Sequence, residues 1–257
     1  MKRLKITIQY DGTEFHGWQL QDGKRTVQGV IEETLKNVFN HNKRISLYAS
    51  GRTDTGVHSI GQVAHFDFKS KLDDDIIMRL INSRLPEDCQ IMRVQTVSHA
   101  FHSRYDATKR LYKYQCYSGD SILYRNQSWI VNDLDISRLS MMAEIIKGQH
   151  DFLSFSKYNA MNNNTNCIIY DTEWKKVDQF ICFFILGNRF LHHMVRYLVG
   201  TMVKTFHKND FKKTLFDMLN KPSKSAYVHK APPQGLFLEN IYYEETSKAK
   251  FYRARVD

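Results

Sequence analysis

The sequence has few of the residues that mark a secreted or metal-binding protein. Only four cysteines occur among its 257 residues, and no two of them have the C-x-x-C spacing typical of metal or redox sites. We therefore predict that Cys89, Cys116, Cys167 and Cys182 are reduced thiols in the core of a cytoplasmic protein. Four prolines and twelve glycines also argue against long flexible linkers.

Long hydrophobic runs are missing too. The longest apolar run, Phe180–Leu186, is far shorter than the roughly 20 residues that span a membrane. The N-terminal segment Lys2–Tyr10 alternates polar and apolar residues like a strand and lacks the apolar core of a signal peptide. We therefore expect no association with a membrane. No H-E-x-x-H spacing or nucleotide-binding motif occurs, so we also expect no bound metal and no cofactor.

Acidic residues are fewer than basic residues. The chain has 37 Lys and Arg against 27 Asp and Glu, which gives a formal net charge of +10. A field of this sign attracts polyanions and speeds their encounter with the protein. A basic surface can also serve only to keep a protein soluble, and charge alone does not separate the two roles. If the surface binds a partner, its charge favours nucleic acid.

The hydrophobic patterns predict strand, helix, strand, strand, helix, strand, and then a similar set. Thr26 is expected to cap a helix that ends at Asn40, and Phe190–Phe206 is expected to form a strongly apolar helix. The order predicts an α+β fold in which two ferredoxin-like βαββαβ-type halves form a mostly antiparallel mixed sheet. The polar segment Ser98–Ala107 suggests a boundary, with an N-terminal half at 1–104 and a C-terminal half at 105–257. The Asn-rich stretch Asn159–Asn166 is expected to form a loop.

The segment that best indicates chemistry runs from Gly51 to Phe66. It begins as a tight polar loop and continues as an alternating strand. Within the loop, Arg52 precedes Asp54 by two residues, and a nearby guanidinium keeps a carboxylate ionised and fixes its direction. Such a carboxylate can act as a nucleophile or a base. The structural alternative is a turn in which Asp54 bonds to its own backbone.

This segment resembles the G-R-T-D-x-G-V-H-x-x-G-Q-V-x-x-F signature of the TruA-type tRNA pseudouridine synthases at every specified position. The similarity extends over nearly the whole chain. The further segments are Tyr10–Gly12, Gly17–Gln21, Phe101–Arg104, Arg110–Tyr114, Gly148–Phe152, Gly187–Leu191, Met194–Arg196, Ala231–Pro232 and Gly235–Leu236. Departures occur at Thr55 and Ser59, where the family usually has Ala, and after Gly200, where it is richer in Gly.

The resemblance implies the pseudouridine-synthase fold, with helices on one side of the sheet and an active-site cleft between the halves. It implies an isomerase that needs no cofactor and converts uridine to pseudouridine at positions 38, 39 and 40 of tRNA. A homodimer in which both protomers contact tRNA is also implied. Asp54, Arg52 and Arg196 would be catalytic, and Asp54 would attack the sugar, attack the base or remove a sugar proton. The implied substrate contacts are Tyr112, His58, Gln62, Phe101, His102 and Arg104.

Two of these residues have alternative roles. Arg196 lies in the apolar segment Phe190–Val199, so its cation needs a partner or must reach water. Periodicity alone fits both, and the resemblance favours a buried ion pair with Asp54 over a solvent-reaching side chain. Tyr112 shares a strand face with Tyr114, which fits either a core tyrosine or a platform that stacks an unpaired base.

Two other functions remain open. Asp54-Thr55-Gly56 also spells the D-T-G of aspartic proteases, which need a second carboxylate close by. A non-catalytic RNA-binding protein would share the charge and the aromatic residues, although not the set of candidate catalytic groups. His192 and His193 are adjacent in a predicted helix, so we expect them to point to different sides and to form no metal site.

Overall fold

The computed structural model describes residues 1–157 and 164–243, and its secondary structure consists mainly of ten strands and five α-helices. The strands are Lys2–Tyr10 (β1), Tyr48–Ala49 (β2), His58–Phe68 (β3), Cys89–Val97 (β4), Lys109–Tyr117 (β5), Trp129–Ile130 (β6), Gly148–Asp151 (β7), Asn166–Val177 (β8), Phe180–Gly187 (β9) and Leu236–Tyr242 (β10). The helices are Val27–Val38 (α1), Asp74–Asn82 (α2), Ile136–Ile145 (α3), Met194–Thr205 (α4) and Phe211–Asn220 (α5).

All ten strands belong to one sheet. Its order is β4-β1-β3-β10-β5-β9-β8-β7, with β2 paired to β3 and β6 paired to β5. The pairings are antiparallel except those of β10 with β3 and of β6 with β5. The first half follows the chain order β1-α1-β2-β3-α2-β4, and the second repeats it as β5-α3-β8-β9-α4-β10 with β6, β7 and α5 added. The predicted α+β fold with a mostly antiparallel mixed sheet is confirmed.

The last strand joins the two halves. β10 pairs in parallel with β3, where Phe237 opposes His58, and antiparallel with β5, where Leu238 opposes Tyr112. The segment that carries the expected boundary at Arg104 lies between β4 and β5. Residues 159–163 of the expected Asn-rich loop and residues 244–257 of the expected C-terminal half lie outside the described residues.

Two main hydrophobic clusters pack between the sheet and its helices. In the first half, Ile6 and Ile8 of β1 belong to the same buried cluster as Ile31 of α1 and Ile77 of α2. The second cluster joins β9 to α3, α4 and α5. Helix α1 forms as expected, because the Thr26 hydroxyl accepts a hydrogen bond from the Gly29 N–H and apolar residues recur at helical spacing.

The apolar segment before α4 differs from the prediction. The helix begins at Met194 rather than at Phe190, and His193 precedes it with a left-handed backbone of φ +66°. Such a conformation is uncommon for a residue other than glycine and costs about 1–3 kcal/mol, so the surrounding structure must hold it in place. Hydrophobic periodicity does not detect this because the four residues before Met194 are as compatible with a helix as those after it.

The cysteines lie where the sequence predicts. Cys89, Cys116, Cys167 and Cys182 are all buried and form no disulfide. Burial raises the pKa of the Cys167 thiol to about 11, so it stays protonated at neutral pH. None of the helices in the described ranges is long and apolar enough to span a membrane.

Candidate active site

The loop between β2 and β3 carries Asp54 and rests on the segment that follows β1. Gly17 has a φ of +80°, and a Cβ there would lie 2.6 Å from the Thr53 carbonyl oxygen. A side chain would therefore push the two segments apart. With glycine in place, the Trp18 N–H donates to the same carbonyl at 3.1 Å. The Tyr10 hydroxyl and the Thr53 hydroxyl are hydrogen-bonded below the loop at 2.8 Å.

Two residues expected to bind substrate hold the framework of this loop. The Gln62 amide is buried and donates to the Gly51 carbonyl at 2.9 Å. His58 is also buried; its Nδ1 accepts from the Gly12 N–H at 2.9 Å, and its Nε2 lies 3.1 Å from the Gln234 carbonyl. Neither side chain lines the cleft described below. Their contact with substrate stays a prediction, while their observed contacts fix the shape of the loop.

Arg196 forms the ion pair that we expected. Its Nη1 lies 3.0 Å from Asp54 Oδ2, and only 7% of the residue is exposed. The Nε–H of Arg196 donates to the Ala231 carbonyl at 2.9 Å, and the Ala231 N–H donates back to the Arg196 carbonyl at 3.0 Å. The guanidinium is thus held at two points, which gives the Asp54 carboxylate a fixed direction.

Arg52 does not make the contact with Asp54 that its spacing suggests. The residue is exposed, and no ion pair of Arg52 occurs among residues 1–157 and 164–243. Hydration explains this difference. Water solvates an exposed guanidinium well, so an ion pair with Asp54 would add little free energy. The expectation that two guanidinium groups flank Asp54 is therefore correct for Arg196 and wrong for Arg52.

Two histidines that the sequence analysis set aside complete the surroundings of Asp54. His192 Nε2 lies 3.4 Å from Asp54 Oδ1, and His193 Nε2 lies 3.4 Å from Asp54 Oδ2. Their ring centroids are 4.0 Å apart. The expectation that they point to different sides of a helix is wrong, because both precede α4 and the left-handed backbone of His193 lets both rings face the carboxylate.

Both imidazoles are poor bases at this site. Burial lowers the pKa of His193 to about 4, against the opposing effect of Asp54. The pKa of His192 is also lowered, first of all by burial. The Lys230 ammonium lies 3.2 Å from His193 Nε2 and disfavours a second positive charge there. At neutral pH, Asp54 is therefore paired with one cation, Arg196, and with two uncharged rings.

The same three residues offer the ligand atoms of a possible metal site. One atom each from Asp54, His192 and His193 lies within 4.8 Å of the others, which is compatible with a divalent cation. Arg196 and Lys230 oppose such binding, because both place positive charge next to these ligands. The expectation of no metal site overlooked this arrangement because Asp54 is distant from the histidines in sequence.

Tyr112 lies in the same cleft on β5. Its ring packs edge-on against Phe190 with the ring centroids 5.1 Å apart, and part of the residue remains exposed. Burial raises the pKa of Tyr112, and the negative charge of Asp54 raises it further. The hydroxyl is therefore uncharged at neutral pH and can donate a hydrogen bond.

The cleft is large and its charged lining is almost entirely basic. It has a volume of about 1800 Å³ and is lined by residues of both halves. Asp54 is its one acidic residue among the residues that the structure describes. The basic residues are Arg44, Arg52, Arg104, Arg110, Lys157, Arg189, Arg196 and Lys230. This composition suits a polyanion and places a single carboxylate beside it.

Of the remaining predicted substrate contacts, His102 and Arg104 line the cleft. Phe101 lies behind it, with its ring centroid 5.0 Å from that of Tyr243 and the Lys5 ammonium 5.3 Å from its own ring. The sequence pattern does not separate these positions, because neighbouring residues of an irregular segment have no fixed periodicity.

Two alternatives for Asp54 lose support. In the described ranges, no backbone N–H donates to its carboxylate, so it does not close a turn of its own loop. The carboxylate faces Arg196 rather than a second carboxylate, whereas an aspartic protease needs two acids that share a proton. The geometry instead presents one oriented carboxylate, without a paired acid, to the cleft.

Comparisons with known proteins identify the family to which this chain is similar. A family model described as tRNA pseudouridine synthase matches residues 6–106 and 142–244. The tRNA pseudouridine synthase A of Maridesulfovibrio salexigens is 37% identical over an alignment of 253 residues, and the alignment covers 96% of this chain and 92% of that protein. The tRNA pseudouridine synthase A of Ruminiclostridium cellulolyticum is 35% identical over an alignment of 247 residues, and the alignment covers 95% of this chain and 100% of that protein.

One solved structure shows only weak similarity to this chain. A structure entitled "Crystal Structure of a Cbf5-Nop10-Gar1 Complex" gives a TM-score of 0.38 at 10% sequence identity, covering 93% of this chain and 59% of that chain. A similarity of this size has no bearing on the fold or the chemistry of the present chain.

Proposed function

This chain belongs to the tRNA pseudouridine synthase family, and on that premise we propose that it isomerises uridine to pseudouridine in tRNA with Asp54 as the catalytic carboxylate. The observation that carries the proposal is the Asp54–Arg196 ion pair at 3.0 Å in a cleft that is otherwise lined by cations. Asp54 comes from the N-terminal half, residues 1–104. Arg196 and Tyr112 come from the C-terminal half, residues 105–257.

The reaction begins with an extruded uridine. A base stacked in RNA hides its glycosidic bond, and flipping it out costs a few kcal/mol. Stacking on Tyr112 offsets part of this cost. The basic lining, including Arg52, holds the phosphates, so Arg52 acts on the backbone of the RNA rather than on Asp54.

Asp54 then starts the rearrangement of the nucleotide. Attack on the sugar C1′, attack on the base C6 and removal of a sugar proton all need one oriented carboxylate next to the nucleotide, and Arg196 supplies that orientation. The bond between N1 and C1′ breaks, the freed uracil turns, and a bond forms between C5 and C1′. The proton on C5 leaves and N1 takes up a proton. The net change is therefore an isomerisation that consumes no second substrate.

The proposal also covers the target positions in tRNA, the cellular compartment and the oligomeric state. We infer uridines 38, 39 and 40 of the anticodon arm as targets, and a cytoplasmic homodimer whose protomers both contact tRNA. The four buried, unbridged cysteines support a reducing compartment. The targets and the dimer rest on the family resemblance.

Pseudouridine mapping of tRNA tests the proposal. Transcribed tRNA incubated with the wild-type protein should gain pseudouridine at one or more of positions 38, 39 and 40. The matched control is Asp54→Asn, which keeps the size of the side chain and removes its charge, and it should give no product. Absence of pseudouridine after incubation with folded wild-type protein would overturn the proposed function. Product at other positions would overturn only the assigned targets.

A further inference from the structure

Four aromatic rings form a continuous cluster on one wall of the cleft. The Tyr48 and His65 rings are nearly parallel, at 23°, with centroids 5.3 Å apart. The His65 and His102 centroids are 4.8 Å apart, and those of His102 and Tyr105 are 4.3 Å apart. Tyr48, His102 and Tyr105 line the cleft, and His65 lies buried behind them. We call these four residues the ring cluster.

Hydrogen bonds hold the inner rings in place. The Ser103 N–H donates to His65 Nδ1 at 3.2 Å, and the Ser103 hydroxyl donates to the Tyr48 carbonyl. The Arg104 N–H donates to His102 Nδ1 at 3.1 Å. Burial lowers the pKa of His65 to about 4, so its ring is uncharged at neutral pH. His65 therefore gives the outer rings an uncharged support, and hydrogen bonds hold both His65 and His102 in place.

The two tyrosines at the ends of the cluster are exposed. Tyr48 is 53% exposed and Tyr105 is 77% exposed, although both line a cleft rather than a convex surface. An aromatic ring can bury about 150–250 Å² when it is covered, so two uncovered rings in a cleft offer a large apolar contact area. The chemistry assigned to Asp54, Arg196 and Tyr112 uses neither of them.

The surroundings indicate what covers these rings. Arg52 and Arg104 line the same cleft, and the guanidinium of Arg104 lies 5.9 Å from the centre of the Tyr105 ring. Exposed aromatic rings beside arginines are the usual platform for unpaired bases, because every base has a face to stack and every nucleotide carries a phosphate.

The size of the cleft also exceeds the needs of one nucleotide. Sites for small ligands have volumes of roughly 300–1,000 Å³. The cleft measures about 1800 Å³ and extends from Asp54 and Tyr112 to the ring cluster. One extruded uridine at Asp54 therefore leaves room for a neighbouring nucleotide.

We propose that Tyr48 and Tyr105 form a second base-binding subsite, which stacks an unpaired base of the tRNA next to the target uridine. The inference rests on the proposed function, because it assigns a second contact to the same RNA. Tyr112 receives the base that reacts, whereas the ring cluster receives a base that does not react. The subsite thereby sets the register of the RNA relative to Asp54.

Fluorescence of 2-aminopurine tests this subsite directly. The probe replaces single loop nucleotides beside the target uridine, and its emission is measured as the protein is added. Stacking on tyrosine should quench the emission at one position with the wild-type protein. Tyr48→Ala and Tyr105→Ala should each weaken the quenching and raise the Kd for tRNA by about 5- to 150-fold, which corresponds to about 1–3 kcal/mol per stacked base. Tyr48→Phe keeps the ring and should behave like the wild type.

The control is Tyr170→Ala. Tyr170 is 44% exposed on β8 and lies outside the cleft lining, so its loss should leave both Kd and quenching unchanged. Thermal unfolding of each variant checks that the fold is retained, and the exposed positions of Tyr48 and Tyr105 predict that it is. A KM that rises more than kcat falls supports a role in binding rather than in chemistry.

Several results would overturn the subsite. Unchanged quenching and an unchanged Kd in both alanine variants would do so. A change from dimer to monomer in Tyr105→Ala, with quenching intact, would assign the ring to a protein interface instead. Failure of the proposed function gives a different result, because wild-type protein would then make no pseudouridine whatever the fluorescence shows.

Discussion

The Arg196 guanidinium donates to the Asp54 carboxylate across the two halves of the molecule, at 3.0 Å and over a separation of 142 residues. The ion pair depends on Ala231, whose carbonyl accepts a second N–H of the same guanidinium. The pair therefore couples the loop before β3 to the first turn of α4 and to the segment before β10.

Replacing Arg196 by Lys tests this coupling. Lysine keeps the charge, but its ammonium lacks the rigid, planar fork with which the guanidinium donates to both the Asp54 carboxylate and the Ala231 carbonyl. We expect the single-turnover rate on tRNA to fall about 100-fold, the loss that follows a displacement of about 1 Å in a reacting group. Arg52→Ala is the matched comparison and should raise the Kd for tRNA with little change in this rate, because Arg52 is exposed and unpaired with Asp54. Equal rate losses in both variants would contradict the assigned roles.

Tyr112 provides a second test, because its raised pKa keeps the hydroxyl protonated next to Asp54. Tyr112→Phe keeps the stacking ring and removes the donor. The Kd for tRNA should stay near the wild-type value, while the single-turnover rate should fall about 100-fold if the hydroxyl takes part in proton transfer. Tyr112→Ala should weaken binding as well. A normal rate for the phenylalanine variant would limit Tyr112 to stacking.

Metal removal tests the alternative use of Asp54, His192 and His193. Arg196 and Lys230 oppose a cation at these ligands, so dialysis against a chelator should leave the rate of pseudouridine formation unchanged. The measurement compares chelated protein with the same protein after zinc is added back. An activity that is lost on chelation and restored by zinc would show that the cluster binds a functional metal.

Two histidines predict how stability depends on pH. Burial lowers the pKa of His65 and of His193 to about 4, against about 6.5 in an unfolded chain. Between these values the unfolded chain binds more protons, so the free energy of unfolding should fall as the pH drops from about 6.5 to 4. The His65 imidazole should account for about 2 kcal/mol between pH 7 and pH 5.

Urea unfolding of the wild type and of His65→Asn at pH 7 and pH 5 measures this effect. Asparagine can still accept the Ser103 N–H but cannot titrate. The variant should therefore lose about 2 kcal/mol less than the wild type on acidification. An equal loss in both proteins would mean that the His65 ring is not held uncharged.

Much of this architecture is predictable from local patterns. Alternation identifies β1, the apolar run Phe180–Leu186 identifies β9, and the Thr26 cap with its following apolar stripe identifies α1, because these features depend on neighbouring residues alone. Short strands are harder. Hydrophobic spacing predicts a strand from Ile45 to Ala49, yet only Tyr48–Ala49 pairs with β3, because pairing depends on the partner as well as on the segment.

The surroundings of Asp54 were only partly predictable. The loop motif indicates the carboxylate. The apolar segment shows only that the Arg196 cation needs a partner or must reach water, and the family resemblance favours its pairing with Asp54. The orientation of His192 and His193 was not accessible, because it depends on one left-handed residue before α4. One sequence feature could have indicated their role, namely two adjacent histidines directly before a buried helix. The ring cluster likewise joins residues 48, 65, 102 and 105, which only the folded chain brings together.

The most direct test of the account is the single-turnover rate of Asp54→Asn, measured together with the Kd of this variant for tRNA. The account predicts a loss of about 10⁴-fold in the rate, the size seen when a catalytic carboxylate is removed, with a Kd close to that of the wild type. Formation of pseudouridine at the wild-type rate by tRNA-bound Asp54→Asn would contradict the claim that this carboxylate carries the reaction.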